Sequence, residues 1–292
     1  MKVSLQEIRE RTYKPVDAWW TVLLVDPLAS RLVRIVAPYR RITPNVLTVI
    51  ATLIGLGAAA CFAQADRWWL VTGAVLFHFS FVVDCMDGKI ARLNGTGSNF
   101  GQWLDYVFDR VRVLACGFAL MGGQYVRTGH VVYLYLAAVV IFLDMFRYLN
   151  ALEMNKIRRG MKDQILELER PFQDPDAEPE EYEEPDPSTL SPKRKLGRWL
   201  RAHRIRTHLI SGIEYHMGVF IIGPLTGWIL PVTIASGAGL LAFEFFLIFK
   251  FWQATRAFPG KLRAAQEAHD AYFASRVPQQ RQRQTDPILQ SN

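Results

Sequence analysis

The chain has 292 residues, of which half are hydrophobic and 12% aromatic, with 34 lysines and arginines against 27 aspartates and glutamates. This composition is typical of a membrane protein with charged extramembrane parts. The three cysteines, Cys61, Cys85 and Cys116, lie in apolar sequence, which argues against a disulfide framework and favours small buried side chains. The basic residues flank apolar segments without interleaved aromatic residues, so we expect membrane lipids as a partner and no nucleic acid.

The N-terminal segment, residues 1–42, lacks the apolar core and cleavage site of a signal peptide. Within it, residues 17–38 mix tryptophans and leucines with charged residues, a pattern typical of an amphipathic helix that lies in the membrane interface. An ordinary soluble helix packed on a domain is the alternative. The interfacial helix is favoured because the segment runs directly into the basic pair Arg40 and Arg41 and then into an apolar stretch.

Six apolar segments are long enough to be membrane-spanning helices. They cover residues 46–64, 68–86, 100–121, 130–149, 209–230 and 231–252, and Pro224, Gly227 and Pro231 separate the last two. Six spans place both termini on one side of the membrane. Most basic residues lie on the side of the 84–109 segment, which predicts that this side faces the cytoplasm. The predicted fold is therefore an all-α integral protein of the cell membrane, with six transmembrane helices preceded by an interfacial helix and with both termini cytoplasmic.

Composition divides the chain into five segments. They are residues 1–42, residues 43–155 with the first four spans, residues 156–207, residues 208–253 with the last two spans, and the cytoplasmic tail 254–292. The third segment is a cytoplasmic loop whose stretch 171–192 is rich in acidic residues and proline, as expected of a disordered linker. A regulatory or partner-binding role for this stretch is the alternative. The tail is predicted to hold a charged helix through Phe273, followed by a frayed end.

Four aspartates lie at the edges of apolar segments, where charge is costly. Asp84 and Asp87 are three residues apart and Asp105 and Asp109 are four apart, so on helices each pair projects from one face. Two such helix ends brought together would form a site of four carboxylates. Oxygen ligands of this kind suit Mg²⁺ or Mn²⁺, which in turn bind phosphate oxygens. The pattern therefore predicts metal-dependent phosphate chemistry.

The stretch from Asp84 to Asp109 reads D-x2-D-G-x2-A-R-x8-G-x3-D-x3-D, and it resembles the signature of the CDP-alcohol phosphotransferase family at all eight specified positions. The resemblance implies an enzyme that transfers a substituted phosphate from a CDP-alcohol to an alcohol and releases CMP. It implies two Mg²⁺ ions, or Mn²⁺, with Asp84 and Asp105 contacting both, Asp87 completing the first and Asp109 the second. Asp109 would also be the general base for the incoming hydroxyl.

The same resemblance makes CDP-diacylglycerol the expected donor and leaves the acceptor open among inositol phosphate, glycerol phosphate, serine and other small alcohols. Family members are often homodimers, and the sequence neither supports nor opposes a homodimer here. Donor-binding residues by resemblance are Gly88, Ala91, Arg92, Ser98 and Gly101, together with the Pro-Asn-x-x-Thr element of Pro44, Asn45 and Thr48. Gly88 and Ala91, which we expect on the same loop and helix end, would admit a nucleotide close to the backbone, and the arginine would bind a phosphate oxygen. The glycine at 101 would serve either close helix packing or ligand access.

Further polar residues lie within the apolar segments. They are His78, Arg110, Arg112, Asp144, Arg147, Glu214, His216 and Glu244. Arg110 and Arg147 are candidates for binding an anionic acceptor such as inositol phosphate. Asp144 and Arg147, three residues apart, would alternatively neutralise each other. For His216 we expect an interhelical hydrogen bond.

Two other classes of membrane protein also use intramembrane carboxylates. Prenyltransferases of the membrane hold a prenyl diphosphate through Mg²⁺, but on two well-separated Asp-rich helix pairs, whereas both pairs here fall within 26 residues. A transporter or other ion-binding protein is the second alternative. Cytidine nucleotides separate the three classes, because a prenyltransferase would ignore CDP and a transporter would release no CMP.

Overall fold

The computed structural model describes residues 3–39, 41–172, 191–208 and 210–285. Within these residues the helices, numbered α1 to α10 in chain order, are Leu5–Thr12, Asp26–Val36, Pro44–Ala63, Arg67–Asn94, Asn99–Thr128, Val132–Glu169, Pro192–Ala202, Gly212–Met217, Gly223–Thr226 and Ile229–Thr285. Two π-helical turns, Thr21–Val25 and Gly218–Ile222, lead into α2 and α9. The β-pairing found among the described residues is one isolated bridge between Asp17 and Ile205. Arg40 and most of the acidic stretch 171–192 lie outside the described residues.

Four helices of the described part are long and apolar enough to cross a membrane: α3, α4, α6 and, over Ile229–Ala274, α10. Helix α5 has 30 residues but carries Asp105, Asp109, Arg110 and Arg112 in its first half. The described part of the chain is therefore helical, with several apolar helices of membrane-spanning length, as the sequence predicts. The number of six spans and the side of the termini stay predictions.

Helices α4 and α6 run well beyond the apolar segments that predicted them. The sequence predicts that the second span ends at residue 86, but α4 continues to Asn94. The next residue, Gly95, terminates the helix because it adopts a left-handed conformation with φ of 65°. The expectation that Gly88 and Ala91 lie on a loop and helix end is therefore wrong, since both lie within the helix. Charged and polar residues continue α6 to Glu169 because helix propensity does not require an apolar side chain.

The predicted fifth span, residues 209–230, is a shorter helical stretch from Gly212 to Thr226 in which α8, a π-helical turn and α9 follow one another. Gly227, with φ of 78°, ends this stretch. The expectation that Pro231 breaks a helix is wrong. This proline lies in the first turn of α10, where a missing backbone N–H removes no intrahelical hydrogen bond.

The chain divides into two compact units, of which the first comprises Met1–Arg147 and Asp186–Glu244 and the second Tyr148–Pro185 and Phe245–Asn292. The first unit contains the whole 84–109 segment. The described residues of the second unit are the later parts of α6 and α10, where the Arg158 guanidinium lies 5.7 Å from the centre of the Phe251 ring. The five-segment division drawn from composition remains a prediction.

Small residues let the helices of the first unit approach closely. A Cβ at Gly73 of α4 would lie 2.6 Å from the Phe62 ring of α3, and a Cβ at Gly123 of α5 would lie 2.7 Å from the Ala63 carbonyl oxygen. Phe62 is fully buried. These contacts fix α3 between α4 and α5, the two helices that carry the aspartates.

Helix α2 is amphipathic, as its sequence predicts. Ala29 and Val33 are fully buried, whereas Arg31 and Arg34 are exposed. Because α2 packs against α4 through its buried side, the N-terminal segment covers part of the helix that carries Asp84 and Asp87.

Candidate metal centre

Three aspartates from two helices meet in the first unit. Asp84 of α4 and Asp105 and Asp109 of α5 each place one carboxylate oxygen so that all three oxygens lie within 4.8 Å of one another, and all three residues are half-buried. They meet because α4 and α5 both pack against α3 and are joined by only residues 95–98. These three side chains are referred to below as the carboxylate cluster. Carboxylate oxygens at this spacing fit a hard divalent cation such as Mg²⁺ or Mn²⁺.

Asp87, the fourth predicted ligand, is held differently. Its Oδ2 accepts a hydrogen bond of 2.5 Å from the Thr48 hydroxyl of α3, and the residue is only 8% exposed. Thr48 is one of the predicted donor-binding residues, so this bond joins the Pro-Asn-x-x-Thr element to the 84–109 segment. The structure therefore brings three of the four predicted ligands within 4.8 Å and anchors the fourth to α3.

Arg112 contacts two aspartates of the carboxylate cluster, and the sequence pattern did not predict these contacts. Its Nη2 donates to Asp109 Oδ1, and its Nη1 lies 3.3 Å from Asp84 Oδ1. Nη1 also donates to the Ser80 hydroxyl at 3.1 Å. The spacing of three residues from Asp109 on one helix was the available signal for this pair. The partners on α4 could not be identified without knowing how the helices pack.

The donor-binding residues predicted before and within α5 also come together. A Cβ at Gly101 would lie 2.9 Å from Asn45 Oδ1 and 3.1 Å from Ser98 Oγ. Ser98 caps α5 by accepting a 3.0 Å hydrogen bond from the Gly101 N–H. Thr43 caps α3, with Pro44 in the first helical turn, as the sequence predicts. Of the two alternatives for Gly101, the close approach of Asn45 favours tight packing.

The end of α4 contacts the N-terminal segment. Arg92 Nε donates to the Thr12 carbonyl oxygen at 2.8 Å, so the arginine predicted to bind phosphate also anchors this segment. Its Nη1 would lie 3.3 Å from a Cβ at Gly88. Ala91, also on α4, is half-buried.

A second charged network holds the same helix. Asp26 of α2 is 3% exposed and accepts from Lys89 Nζ at 2.6 Å and from Arg204 Nη2 at 2.9 Å. The Tyr13 ring lies near both cations, 4.7 Å from Lys89 Nζ and 4.1 Å from Arg204 Cζ. Sequence reasoning missed this network because its members lie far apart in the chain. It ties the N-terminal segment and the residues after α7 to the helix of Asp84 and Asp87.

The predicted acceptor-binding arginines both have acidic partners. Arg110 donates to Asp144, whose Oδ1 also lies 2.7 Å from His216 Nε2. Arg147 Nε lies 3.1 Å from Glu244 Oε1. The alternative in which Asp144 and Arg147 neutralise each other is therefore wrong, because each forms an ion pair with a residue of another helix. The interhelical hydrogen bond expected for His216 is present.

Arg110 also connects this group to the carboxylate cluster. Its Nη2 lies 3.8 Å from Asp109 Oδ2, at the side of the carboxylate opposite the Arg112 contact. An anionic molecule bound by Arg110 would thus lie next to Asp109.

Comparison with known proteins matches residues 41–166 to the family model described as CDP-alcohol phosphatidyltransferase. A 97-residue segment is 39% identical to the phosphatidylinositol phosphate synthase of Cutibacterium acnes and covers 32% of this chain and 41% of that protein. A segment of 71 residues is 37% identical to the enzyme of the same name from Mycolicibacterium smegmatis, covering 24% and 31%. A segment of 79 residues is 37% identical to the bifunctional IPC transferase and DIPP synthase of Aquifex aeolicus, covering 26% and 17%. The chain thus spans less than half the length of these relatives.

Proposed function

We propose that this protein transfers a phosphatidyl group from CDP-diacylglycerol to an alcohol in phospholipid synthesis, because residues 41–166 match the family model described as CDP-alcohol phosphatidyltransferase. The observation that carries the proposal is the carboxylate cluster. Three carboxylates from the two halves of the family motif lie within 4.8 Å of one another. Their oxygens form the ligand set that a metal-dependent phosphate transfer requires.

The proposed cofactor is Mg²⁺, two ions per site, with Mn²⁺ as an alternative. Asp84, Asp105 and Asp109 would hold the ions, and Asp87 would complete the first. When bound, such ions neutralise phosphate charge and acidify a nearby hydroxyl.

Asp109 is the proposed general base. Its carboxylate would take the proton of the acceptor hydroxyl, while the acceptor oxygen forms a bond to the phosphatidyl phosphorus. The bond from that phosphorus to the oxygen of CMP breaks, and CMP leaves with the electron pair. Arg112 donates to Asp109 Oδ1, whereas the Arg110 contact to Oδ2 is 3.8 Å, beyond hydrogen-bond range. Oδ2 is thus the oxygen that we expect to accept the proton.

The donor would bind where the predicted residues converge. Asn45, Ser98 and Gly101 lie against one another, and Thr48 bonds to Asp87 beside the carboxylate cluster. The remaining residues proposed for the donor are Pro44, Gly88, Ala91 and Arg92. The guanidinium of Arg92 has further N–H groups besides the Nε that donates to Thr12, and these would bind a phosphate oxygen.

For the acceptor we propose inositol phosphate, bound by Arg110 and Arg147. Two of the relatives described above have the name phosphatidylinositol phosphate synthase. The acceptor phosphate would compete with Asp144 for Arg110, which already lies beside Asp109. Arg147 lies over the Phe243 ring, with 5.5 Å between its Cζ and the ring centre, and its pairing with Glu244 keeps it in place for an anion.

The membrane arrangement is also part of the proposal. We expect six spans, with α5 and the stretch from α8 to α9 adding to the four apolar helices, and with α2 in the membrane interface. The cluster and both termini would face the cytoplasm, where CDP-linked lipids are made and Mg²⁺ is available.

The test is CMP release by the purified protein in detergent with CDP-diacylglycerol and Mg²⁺, across inositol phosphate, glycerol phosphate and serine. Release with inositol phosphate alone supports the whole proposal. Release with another acceptor keeps the reaction class and overturns the acceptor. The absence of Mg²⁺-dependent CDP binding would overturn the proposed function. The prenyltransferase and the transporter would then be the remaining hypotheses.

A further inference from the structure

We propose that Arg112 is a positioning residue that acts as a fixed cation of the carboxylate cluster. It holds Asp84 and Asp109 together and offsets one negative charge of the site, so that the positive charge of two divalent ions would exceed the remaining negative charge. A second ion would then bind only together with the diphosphate of the donor. This inference rests on the proposed function and concerns a residue outside the family motif, which ends at Asp109.

The contacts of Arg112 join both halves of the motif. From α5 its guanidinium reaches Asp109 on the same helix and Asp84 on α4. The Ser80 hydroxyl donates to the Ala51 carbonyl oxygen at 2.7 Å, so its oxygen is left to accept from Arg112 Nη1. The guanidinium is therefore oriented by a hydrogen bond that does not involve a carboxylate.

The methylene part of Arg112 is confined as well. The residue is only 4% exposed. A Cβ at Gly55 of α3 would lie 2.5 Å from Arg112 Cδ and 2.6 Å from Cγ, so the side chain passes through a space that exists only because residue 55 is glycine. We call this space beside Gly55 the seat of Arg112. It is formed by α3 and does not depend on what the carboxylates bind. Arg112 is consequently a built part of the site and not a surface arginine that happens to lie near an acid.

The charges of the cluster give the consequence. Besides the three carboxylates of the cluster, Asp87 would complete the first metal site, although its Oδ2 accepts from Thr48. These four carboxylates carry four negative charges, and a guanidinium remains protonated in proteins. The charge of Arg110 is balanced by its partner Asp144. The sum of minus three becomes minus one with one divalent cation and plus one with two, and buried charge that stays uncompensated is costly. A second cation therefore needs further negative charge, which the diphosphate of a CDP-linked donor would bring.

Titration of the purified protein with Mn²⁺, followed by electron paramagnetic resonance, tests this inference with and without CDP. For the unmodified protein we expect one tightly bound ion without nucleotide and a second only with CDP. Arg112→Met should bind the second ion without CDP, with affinity raised about tenfold or more. Arg112→Lys should keep the one-ion behaviour because it keeps the charge.

A stability measurement separates this role from simple packing. In EDTA, the Arg112→Met protein should unfold at a lower temperature than the unmodified protein, because the guanidinium no longer offsets the carboxylate charge. Added Mn²⁺ should raise the unfolding temperature of Arg112→Met by more than it raises that of the unmodified protein. Arg147→Met removes a different, half-buried arginine, whose partner Glu244 lies outside the cluster. Its stability loss should not be restored by Mn²⁺.

A glycine pair provides a second test that leaves every charge in place and serves if Arg112→Met does not fold. Gly55→Ala would displace Arg112 from its seat and should allow the second Mn²⁺ to bind without CDP. Gly57→Ala is the matched control, because a Cβ there meets nothing within 4 Å. Two ions of similar affinity in the unmodified protein without CDP would overturn the inference, as would unchanged binding in both Arg112→Met and Gly55→Ala. If one Mn²⁺ binds without CDP and a second only with CDP, but the protein releases no CMP, the inference stands and only the proposed function is overturned.

Discussion

The two oxygens of Asp109 have different surroundings, and this asymmetry bears on catalysis. Arg112 donates to Oδ1, while Oδ2 has the longer contact to Arg110. A carboxylate fixed through one oxygen can present the other to a substrate hydroxyl without losing its orientation.

Replacing this carboxylate tests the role of Asp109 as the base. Asp109→Asn keeps the shape of the side chain but removes the proton acceptor, so CMP release should fall by about 10²-fold or more. Mg²⁺-dependent CDP binding and the unfolding temperature should change much less, because Asp84 and Asp105 remain. The matched control is Asp163→Asn on an exposed part of α6. Activity within twofold of the unmodified protein would show that another group takes the proton.

At the residue scale, the sequence predicts what is local and misses what packing decides. The spacing of Asp105 and Asp109 on one helix is a local property, and both lie in the cluster. Asp87 was expected in the same site, yet its partner is Thr48, 39 residues earlier. The link from Arg112 to Ser80 spans 32 residues and depends on the absence of a side chain at Gly55. No periodicity in the chain encodes such contacts.

At the element scale, helices α3, α4 and α5 form the scaffold that places the carboxylates. Apolar length predicted where α3 begins and ends to within two residues, since Thr43 and Pro44 start it and an apolar run fills it. It underestimated α4 and α6, because amphipathic and charged residues extend a helix without adding to an apolar segment. The segment after residue 208 was also misjudged, because a π-helical turn and the left-handed Gly227 are not visible as hydrophobicity.

Two neighbouring glycines of α5 test how tightly α5 packs on α3. Gly123→Ala would place a methyl group 2.7 Å from the carbonyl oxygens of Phe62 and Ala63, which are backbone atoms and cannot rotate away. We expect a loss of about 1–3 kcal/mol in the free energy of unfolding. Gly122→Ala meets nothing within 4 Å and should be neutral or stabilise by up to about 1 kcal/mol through helix propensity.

Thermal unfolding of both variants in the same detergent provides the measurement. Because the two changes differ by one position on one helix, any general effect of alanine on α5 cancels in the comparison. Equal unfolding temperatures for the two variants would contradict the close contact between α5 and the end of α3.

At the scale of the whole molecule, the proposed crossing of the membrane by α5 predicts which side the site faces. Its 30 residues correspond to about 45 Å of helix, more than the roughly 30 Å of a bilayer core. Its first end carries Asp105 and Asp109, and its other end leads through Gly129 into α6. If α5 crosses the membrane, the connection 95–98 and the connection 129–131 lie on opposite sides. The excess of basic residues around the motif then assigns the first connection to the cytoplasm.

Cysteine labelling tests this orientation in a background where Cys61, Cys85 and Cys116 are replaced by alanine. His130→Cys lies at an exposed position of the second connection, and Gly97→Cys lies in the first, where a Cβ meets nothing within 4 Å. A membrane-impermeant maleimide added to intact cells should label His130→Cys directly and Gly97→Cys only after permeabilisation. The reverse pattern would place the carboxylate cluster on the outer side, away from CDP-linked lipid and cytoplasmic Mg²⁺. Labelling of both cysteines in intact cells, at equal rates, would mean that α5 does not cross, since its two ends would then share one side.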